Sequence, residues 1–404
     1  MGSSLSVSDN EAVAERHASW LELFFDLVVV AAVAQLAHRV HDAPSAAGVA
    51  AFALLYYAVW NVWTSFTLYA NVAGRLTRQR AMLIAMFGIA VMAAAVPTAV
   101  PEALHDAPDV DHSRTFVIAY IVCRMLASST WQRTGKILTS WPSAQAGAGL
   151  LPWFASIWVD APARYWLWAL GAALDLTFSI RQSRDPDRLL EAVARQSEQR
   201  RRRHGPGVPP APTRAILDLS HLGERLGLFV IIVLGEAVIQ LVDAAGNPLS
   251  HWDARLVVAA LSGFALLVGL WWLTLQHGVN GVPYFEAEGP TPTAALPGHF
   301  AATVSITSVA AGLGAVAAHA SGHLPDGTRW LLCGGLALYF LATTVLGAMA
   351  RLPLRWLLGW ALPCVAAPVL AAALGADLPA WSLALLMAAV VAWQVAYPRV
   401  TGGR

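Results

Sequence analysis

Long apolar runs recur along the whole chain and are separated by short polar loops. A run of about 17–25 apolar residues can cross a bilayer as a helix. The pattern therefore predicts an all-α polytopic membrane protein with about twelve transmembrane helices. The twelve runs cover residues 21–40, 48–70, 81–97, 115–130, 147–159, 165–180, 222–242, 256–275, 300–319, 330–349, 354–374 and 381–395.

The fifth run, over residues 147–159, is the weakest of these segments because it is short and interrupted by Pro152. It could cross the bilayer, re-enter from one side or lie at the membrane interface.

Arginine and the single lysine, Lys136, gather in alternate loops, after the second, fourth, sixth, tenth and twelfth runs. Cytoplasmic loops carry such an excess of positive charge, so the pattern predicts that both termini are cytoplasmic. The loop after the eighth run holds Glu286 and Glu288 and neither arginine nor lysine. Acidic residues have little weight in this rule, and the count of twelve is kept.

Six runs precede an arginine-rich linker and six follow it, which raises the possibility of a parallel 6+6 repeat. Glu22 and Glu224 open the first run of each half, 202 residues apart, and the same offset relates His38 to Gln240. Transporters built from parallel repeats bind solutes between their halves. We predict a cytoplasmic segment over 1–20, a first half over 21–180, a linker over 181–220, a second half over 221–397 and a tail over 398–404. Whether the halves arose by duplication is left open.

Composition supports a membrane protein and restricts its chemistry. The chain is 57% hydrophobic and 13% charged, against roughly 45–50% and 25% in soluble proteins. A net charge of +1 gives no field that would select nucleic acid. Lys136 lies in a polar loop, which excludes a lysine-bound chromophore within the membrane. The three cysteines are scattered through apolar runs and predict neither disulfides nor a metal site. We expect no cofactor.

The linker contains a predicted helix that begins at Pro186 and ends in four arginines. These arginines could bind anionic lipid headgroups or a partner protein. The simpler interpretation is a topology signal that also keeps the loop solvated. The four residues are Arg200, Arg201, Arg202 and Arg203.

Charged side chains inside apolar runs are the main candidates for function, because burying a charge in a membrane costs a few kcal/mol. Glu22 and Asp26 share a face of the first run, one turn in from its start. Asp26 is flanked by apolar residues and needs a partner, whereas Glu22 could reach the interface. Asp175 is a comparable lone acid in the sixth run.

The seventh run carries a polar stripe, because His221, Arg225, Glu236 and Gln240 fall within an arc of about 100°. Glu236 lies deepest and follows Gly235, which would allow close approach of a helix or ligand. It could carry a proton, hold a cation or pair with an arginine. Arg124 in the fourth run is one possible partner, and Arg225 is about 16 Å away by helical rise.

His221 and Glu224 stand at the start of that run, where an acid favours the helix dipole and Ser220 could cap the helix. A His-x-x-Glu pair can bind metal in a helix bundle. There is no second such motif, so we expect no metal. The tryptophans fall largely near run ends, as in a membrane-interface belt.

Two segments, WLELFFDLVVVAAVAQLAH and HLGERLGLFVIIVLGEAVI, resemble the bacterial low temperature requirement protein A family. The resemblance extends from Arg16 to about His319 and implies a multi-pass protein of the bacterial cell membrane. It carries over no settled biochemical activity. Members tend to have an Arg-Phe-Asp-like stretch where this chain has Asn71-Val72-Ala73, and Tyr-Phe-Asp where it reads Leu-Thr-Leu-Gln-His before Gly278. The positions that match the family pattern are Glu22, Phe24, Phe25, Asp26, Gln35, His221, Glu224, Arg225, Gly235 and Glu236.

Three hypotheses follow for the function. The first, which we favour, is a transporter or channel for a small solute or ion that uses intramembrane carboxylates such as Asp26 and Glu236. The second is a membrane-embedded enzyme acting on a lipid or isoprenoid, for which the candidate residues are Glu22, His221, Glu224 and Arg225. The third is a non-catalytic membrane component that works through the arginine-rich linker.

Overall fold

A computed structural model describes residues 17–42, 44–99, 111–204, 212–246, 252–279, 281–283 and 290–400. These residues are almost entirely helical, and they include one pair of two-residue parallel strands, β1 (Lys136–Ile137) and β2 (Thr213–Arg214). The helices are α1 (Trp20–Asp42), α2 (Ala46–Ala73), α3 (Gln79–Ala99), α4 (Ser113–Gln132), α5 (Leu150–Ala155), α6 (Ala163–Ser183), α7 (Pro186–His204), α8 (Leu219–Ala245), α9 (Ala254–Trp271), α10 (Pro292–Ala318), α11 (Asp326–Met349), α12 (Leu354–Trp356), α13 (Leu362–Leu374) and α14 (Ala380–Val400).

Nine helical stretches among the described residues are long and apolar enough to cross a membrane, which makes the chain a polytopic membrane protein. A π-helical turn extends α9 to Gln276, and a second one joins α12 to α13. The three predicted runs outside these nine coincide with α4, with the short α5 and with α6. The fifth run is therefore not a continuous transmembrane helix, since its α-helix covers Leu150–Ala155 and is followed by a short helical turn at Ser156–Trp158.

The segment between β1 and α6 nevertheless runs the whole length of α4, in the opposite direction. It leaves β1 beside the end of α4, and at its far end Arg164 bonds to Ser113 at the beginning of α4. Helix α4 has 20 residues, or about 30 Å at the helical rise. The intervening chain forms short helical turns at Pro142–Ala144, in α5 and at Ser156–Trp158.

Helices α1 and α8 lie side by side and point the same way, since Glu22 faces Arg225 near their starts and His38 faces Glu236 further along. The β1–β2 pairing joins the loop after α4 to the approach to α8, so both lie on one side of the bundle. Helix α10 lies at the centre and packs on α1, α2, α8, α9, α11 and α14.

Local details correct two expectations about α8. The helix is capped by Asp218, whose carboxylate accepts from the His221 amide, and Ser220 lies in its first turn. Gly235 faces open space rather than a neighbouring helix, since a side chain there would touch nothing within 4 Å. The glycine thus lines an apolar groove between α8 and α9.

The arginine-rich linker forms α7 as predicted, and its polar residues are largely exposed. Residues 1–16 of the predicted segment over 1–20, residues 401–404 of the predicted tail over 398–404 and the proline-rich stretch over 205–211 lie outside the described residues.

Candidate functional site: a buried charged cluster between the halves

The start of α1 is fixed by a capping box in which Glu22 takes part. The Ser19 hydroxyl accepts from the Glu22 amide, and Glu22 Oε2 accepts from the Ser19 amide and hydroxyl at 2.8 Å each. One carboxylate oxygen is thereby held by its own helix, and the other, Oε1, points toward α8. Glu22 is buried, with 2% exposed, and does not reach the interface as the sequence allowed.

Asp26, one turn further along α1, forms a salt bridge with Arg225 of α8. Asp26 Oδ1 lies 2.6 Å from Arg225 Nη2 and Oδ2 lies 3.0 Å from Nε, a two-pronged ion pair. Trp63 of α2 donates its indole N–H to the same Oδ1 at 2.7 Å. Asp26 and Arg225 are completely buried. The partner that Asp26 needs therefore comes from the other half of the chain.

His221 completes the cluster and is oriented by Asn71. The amide nitrogen of Asn71 lies 3.2 Å from His221 Nδ1, and because this amide can only donate, Nδ1 accepts and the ring proton sits on Nε2. His221 Nε2 faces Glu22 Oε1 at 3.4 Å. Asn71 also holds the main chain of Asp218, as donor to its carbonyl and acceptor from its amide.

Arg225 contacts both carboxylates of this cluster. Glu22 and Asp26 supply two negative charges, and Arg225, which is 3.3 Å from Glu22 through Nη1, supplies one positive charge. His221 Nε2 lies on the other side of Glu22 Oε1, so two carboxylates, a guanidinium and an imidazole lie in direct succession inside the bundle.

A second buried histidine, His299 of α10, extends the polar contacts behind Trp63. Its Nδ1 accepts from the Trp60 indole at 3.2 Å and its Nε2 lies 3.2 Å from the Leu226 carbonyl. The Trp63 ring stacks on His299 with 5.4 Å between centroids. Helices α1, α2, α8 and α10 are thus joined through polar side chains.

Glu236 and Gln240 form a second group of polar side chains, which we call the Glu236 level. It lies further along the contact between α1 and α8, which we call the α1–α8 seam. Gln240 donates to Glu236 at 3.3 Å, and His38 of α1 lies 3.9 Å from the same carboxylate oxygen. The Glu236 side chain is 13% exposed and His38 is 60% exposed. This level is therefore more accessible than the cluster around Asp26. Arg124, which the sequence suggested as a partner of Glu236, does not lie at this level.

Arg124 instead pairs with Asp175 at 3.9 Å, and both side chains support the broken segment between β1 and α6. Arg124 donates to the carbonyls of Ser143 and Ala146, and Asp175 accepts from the Gly149 amide at 2.8 Å. Irregular backbone inside a membrane must find such partners within the protein. These two candidates thus satisfy main-chain groups.

The remaining candidates lie outside both clusters. Glu224 faces outward, where it accepts from the Ala18 amide at 3.1 Å and lies 3.7 Å from His17. Arg201, Arg202 and Arg203 are exposed on α7, and Arg202 pairs with Glu198 one turn away.

Sequence reasoning selected Glu22, Asp26, His221 and Arg225 as charged residues in apolar runs, and the structure brings them together. It did not identify the contacts that Trp63 and Asn71 make with Asp26 and His221. It also overlooked Trp60 and His299, which pack behind Trp63. The tryptophan-belt interpretation obscured Trp60 and Trp63, which are buried. For His299, a lone histidine within an apolar run was the available signal.

A family comparison covers nearly the whole chain. The family model described as "Bacterial low temperature requirement A protein (LtrA)" matches residues 17–394, nearly the whole chain. No curated protein matches the chain. The matched range contains the cluster, the Glu236 level and the broken segment.

Proposed function

The chain belongs to the bacterial low temperature requirement A family, and from this premise we propose that it is a transporter or channel for a small solute or ion. The observation that carries the proposal is the buried cluster of Glu22, Asp26, His221 and Arg225 between the first helices of the two halves. Carboxylates and histidine buried in membrane proteins mark ion paths and proton relays.

We further propose that the chain crosses the membrane twelve times in two parallel halves, with the broken segment as the fifth crossing. The parallel course of α1 and α8 supports this, because an even number of crossings must separate their starts. The pairing of β1 with β2 supports two crossings between them. The halves also share a packing pattern: α3 packs on α1 and α4 as α10 packs on α8 and α11.

Coupling between the helices would act through Arg225, because this one side chain contacts both carboxylates of α1. A solute or ion that displaced Arg225 from Glu22 would loosen the contact between α1 and α8 while Asp26 keeps its two-pronged pair. The solute path would follow the α1–α8 seam from this cluster to the Glu236 level, as expected for parallel halves.

The test begins with the melting temperature of the purified protein across pH and across a panel of cations, amino acids, sugars and organic acids. A ligand of the native state raises the melting temperature by mass action. Hits are then tested for flux in proteoliposomes, and a pH-sensitive dye inside the vesicles reports whether protons move with the solute. We expect Asp26→Asn and Glu236→Gln to lose the thermal shift and the flux.

Glu191→Gln on the exposed α7 is the matched control and should behave as wild type. Unchanged binding and flux in both Asp26→Asn and Glu236→Gln would refute the proposal.

A membrane-embedded enzyme is the second candidate, favoured by one observation. Such an enzyme needs an acid and a base close together near one side of the membrane, and Glu22 Oε1 lies 3.4 Å from His221 Nε2. Incubation of the protein with labelled phospholipids and isoprenoid phosphates tests this candidate. Product that forms with wild type and disappears with His221→Gln would favour the enzyme; no product with either would remove it.

A further inference from the structure

A cavity of about 280 Å³ opens on the side of the bundle that carries β1 and β2. It lies between the end of α2 and the end of α4, and no member of the buried cluster lines it. Its volume is close to the lower limit for small-molecule sites, roughly 300 Å³. The lining consists of Tyr69, Val72, Ala73, Leu76, Arg78, Thr130, Arg133, Thr134 and Lys136.

Three cations surround this cavity without a neutralising acid. Arg78, Arg133 and Lys136 are exposed, and within the described part of the chain none of them forms an ion pair. No aspartate or glutamate contributes to the lining. The site therefore attracts an anion with more than one negative oxygen.

The cations are held by ordered backbone. The Arg78 amide donates to the Tyr69 hydroxyl at 3.1 Å, so this buried hydroxyl keeps its own proton for a ligand. Lys136 belongs to β1, which is paired with β2, and Gly135 before it has φ +64°, a conformation that favours glycine. The turn therefore fixes Lys136 at the cavity edge.

One wall of the cavity is apolar and continuous with the bundle surface. Val72, Ala73 and Leu76 form it, and Leu76 is 85% exposed. A polar, cationic mouth beside an apolar wall at the membrane surface suits a phosphate group that carries an apolar body. We propose that this cavity binds a phosphate-bearing ligand, with Arg78, Arg133 and Lys136 on its oxygens.

The experiment measures ligand-dependent melting of the full chain in two arms. The lipid arm uses nanodiscs of phosphatidylcholine with or without phosphatidylglycerol; the soluble arm adds inorganic pyrophosphate to protein in phosphatidylcholine nanodiscs. Each cation near a membrane surface contributes about 1 kcal/mol, which is roughly fivefold in affinity. We expect about fivefold weaker binding for each of Arg78→Gln, Arg133→Gln and Lys136→Gln, and roughly a hundredfold for all three together.

Arg75→Gln is the matched control, because Arg75 is an exposed arginine of the same loop that does not line the cavity. A shift that the triple variant loses and Arg75→Gln keeps supports the site. Its appearance in the lipid arm identifies a headgroup, and its appearance in the soluble arm identifies a free phosphate compound. A shift that is absent in both arms, or equal in all variants, overturns the proposal.

Discussion

Arg225 is the residue on which the buried cluster depends, because it contacts both carboxylates of α1. The polar stripe on the seventh apolar run marked this arginine as a candidate. Its partners could not be identified in the same way, since helical periodicity describes one helix and the pair joins residues 199 positions apart. Asn71 stood out as a departure from the family pattern and not as a partner of His221, which it orients.

Replacing Arg225 with methionine should lower the free energy of unfolding by about 3–5 kcal/mol, because it leaves the buried Asp26 carboxylate without its partner. Thermal melting in detergent measures the loss. The double variant Asp26→Leu with Arg225→Met removes both charges and should recover much of it. Arg75→Met, at an exposed position, should melt as wild type; a double variant no better than Arg225→Met would contradict this explanation.

Gly149 and Gly235 should respond in opposite directions to alanine. A side chain at Gly149 would come within 2.1 Å of the Gly171 carbonyl oxygen, whereas at Gly235 it would meet open space. Overpacking costs about 1–3 kcal/mol, and alanine gains about 0.5–1 kcal/mol over glycine inside a helix. Melting temperatures of the two variants, compared with wild type, check the contrast; equal shifts would show that Gly149 is not tightly packed.

The broken segment between β1 and α6 is the element that the sequence predicted least well. Its weak apolar run and Pro152 left three placements open, because hydropathy reports neither backbone course nor the side chains that satisfy it. The regular helices were anticipated closely, and α7 begins at the predicted proline. The sequence did not indicate that Arg124 and Asp175 form hydrogen bonds with the main chain of this segment.

Asp175→Asn should loosen the broken segment, because the amide group is a weaker partner for the Gly149 N–H and for Arg124. Hydrogen exchange of residues 142–155 should become faster, while α10 keeps its protection. Thr177→Val, on an exposed position of the same helix, is the control. Unchanged exchange in Asp175→Asn would mean that the ion pair does not hold the segment.

The opposite end of α4 is joined to α6 by Asp111 and Arg164 at 2.9 Å. Burial acts to raise the pKa of Asp111, but hydrogen bonds from Ser113 and Arg164 and the charge of Arg164 outweigh it and hold the pKa below its ordinary value. A lowered pKa stabilises the fold above the unfolded pKa, about 3.9, and this contribution disappears as the pH falls through the folded value.

Asp111→Asn should therefore melt below wild type at pH 7, and the difference should shrink as the pH falls below about 4. Asp160→Asn, which changes the exposed partner of the same arginine, should show little difference at any pH. A gap for Asp111→Asn that persists unchanged into acid would contradict the titration argument.

At the scale of the whole molecule, the number of membrane crossings between two segments decides whether they lie on the same side of the membrane. Hydropathy predicted the class of the protein, and nine helical stretches within the described part of the chain are long and apolar enough to agree with it. The contact between α1 and α8 could be found only from the structure, because no sequence pattern indicates which helices of the two halves pack together. Helix α10, buried along most of its length, shows that the sequence pattern does not separate central from peripheral helices.

Single cysteines should label from the same side of the membrane when an even number of crossings separates them, and from opposite sides when the number is odd. In a background where the three native cysteines are replaced by alanine, Lys136→Cys and Thr213→Cys should react from the same side of the membrane, because β1 pairs with β2. Asp160→Cys should react from the opposite side. Membrane-impermeant maleimide on sealed vesicles of both orientations gives the answer, and opposite labelling of the first two positions would exclude twelve crossings.

The distance in sequence between Asp26 and Arg225 has a consequence for biosynthesis. A ribosome that adds about 5–20 residues per second needs roughly 10–40 s to reach Arg225 after it has made Asp26. During that interval α1 has been synthesised and its arginine has not. The nascent first half must keep the carboxylate protonated, leave it at the membrane surface or hold it inside the insertion machinery. The lifetime of this waiting state is therefore set by the speed of translation.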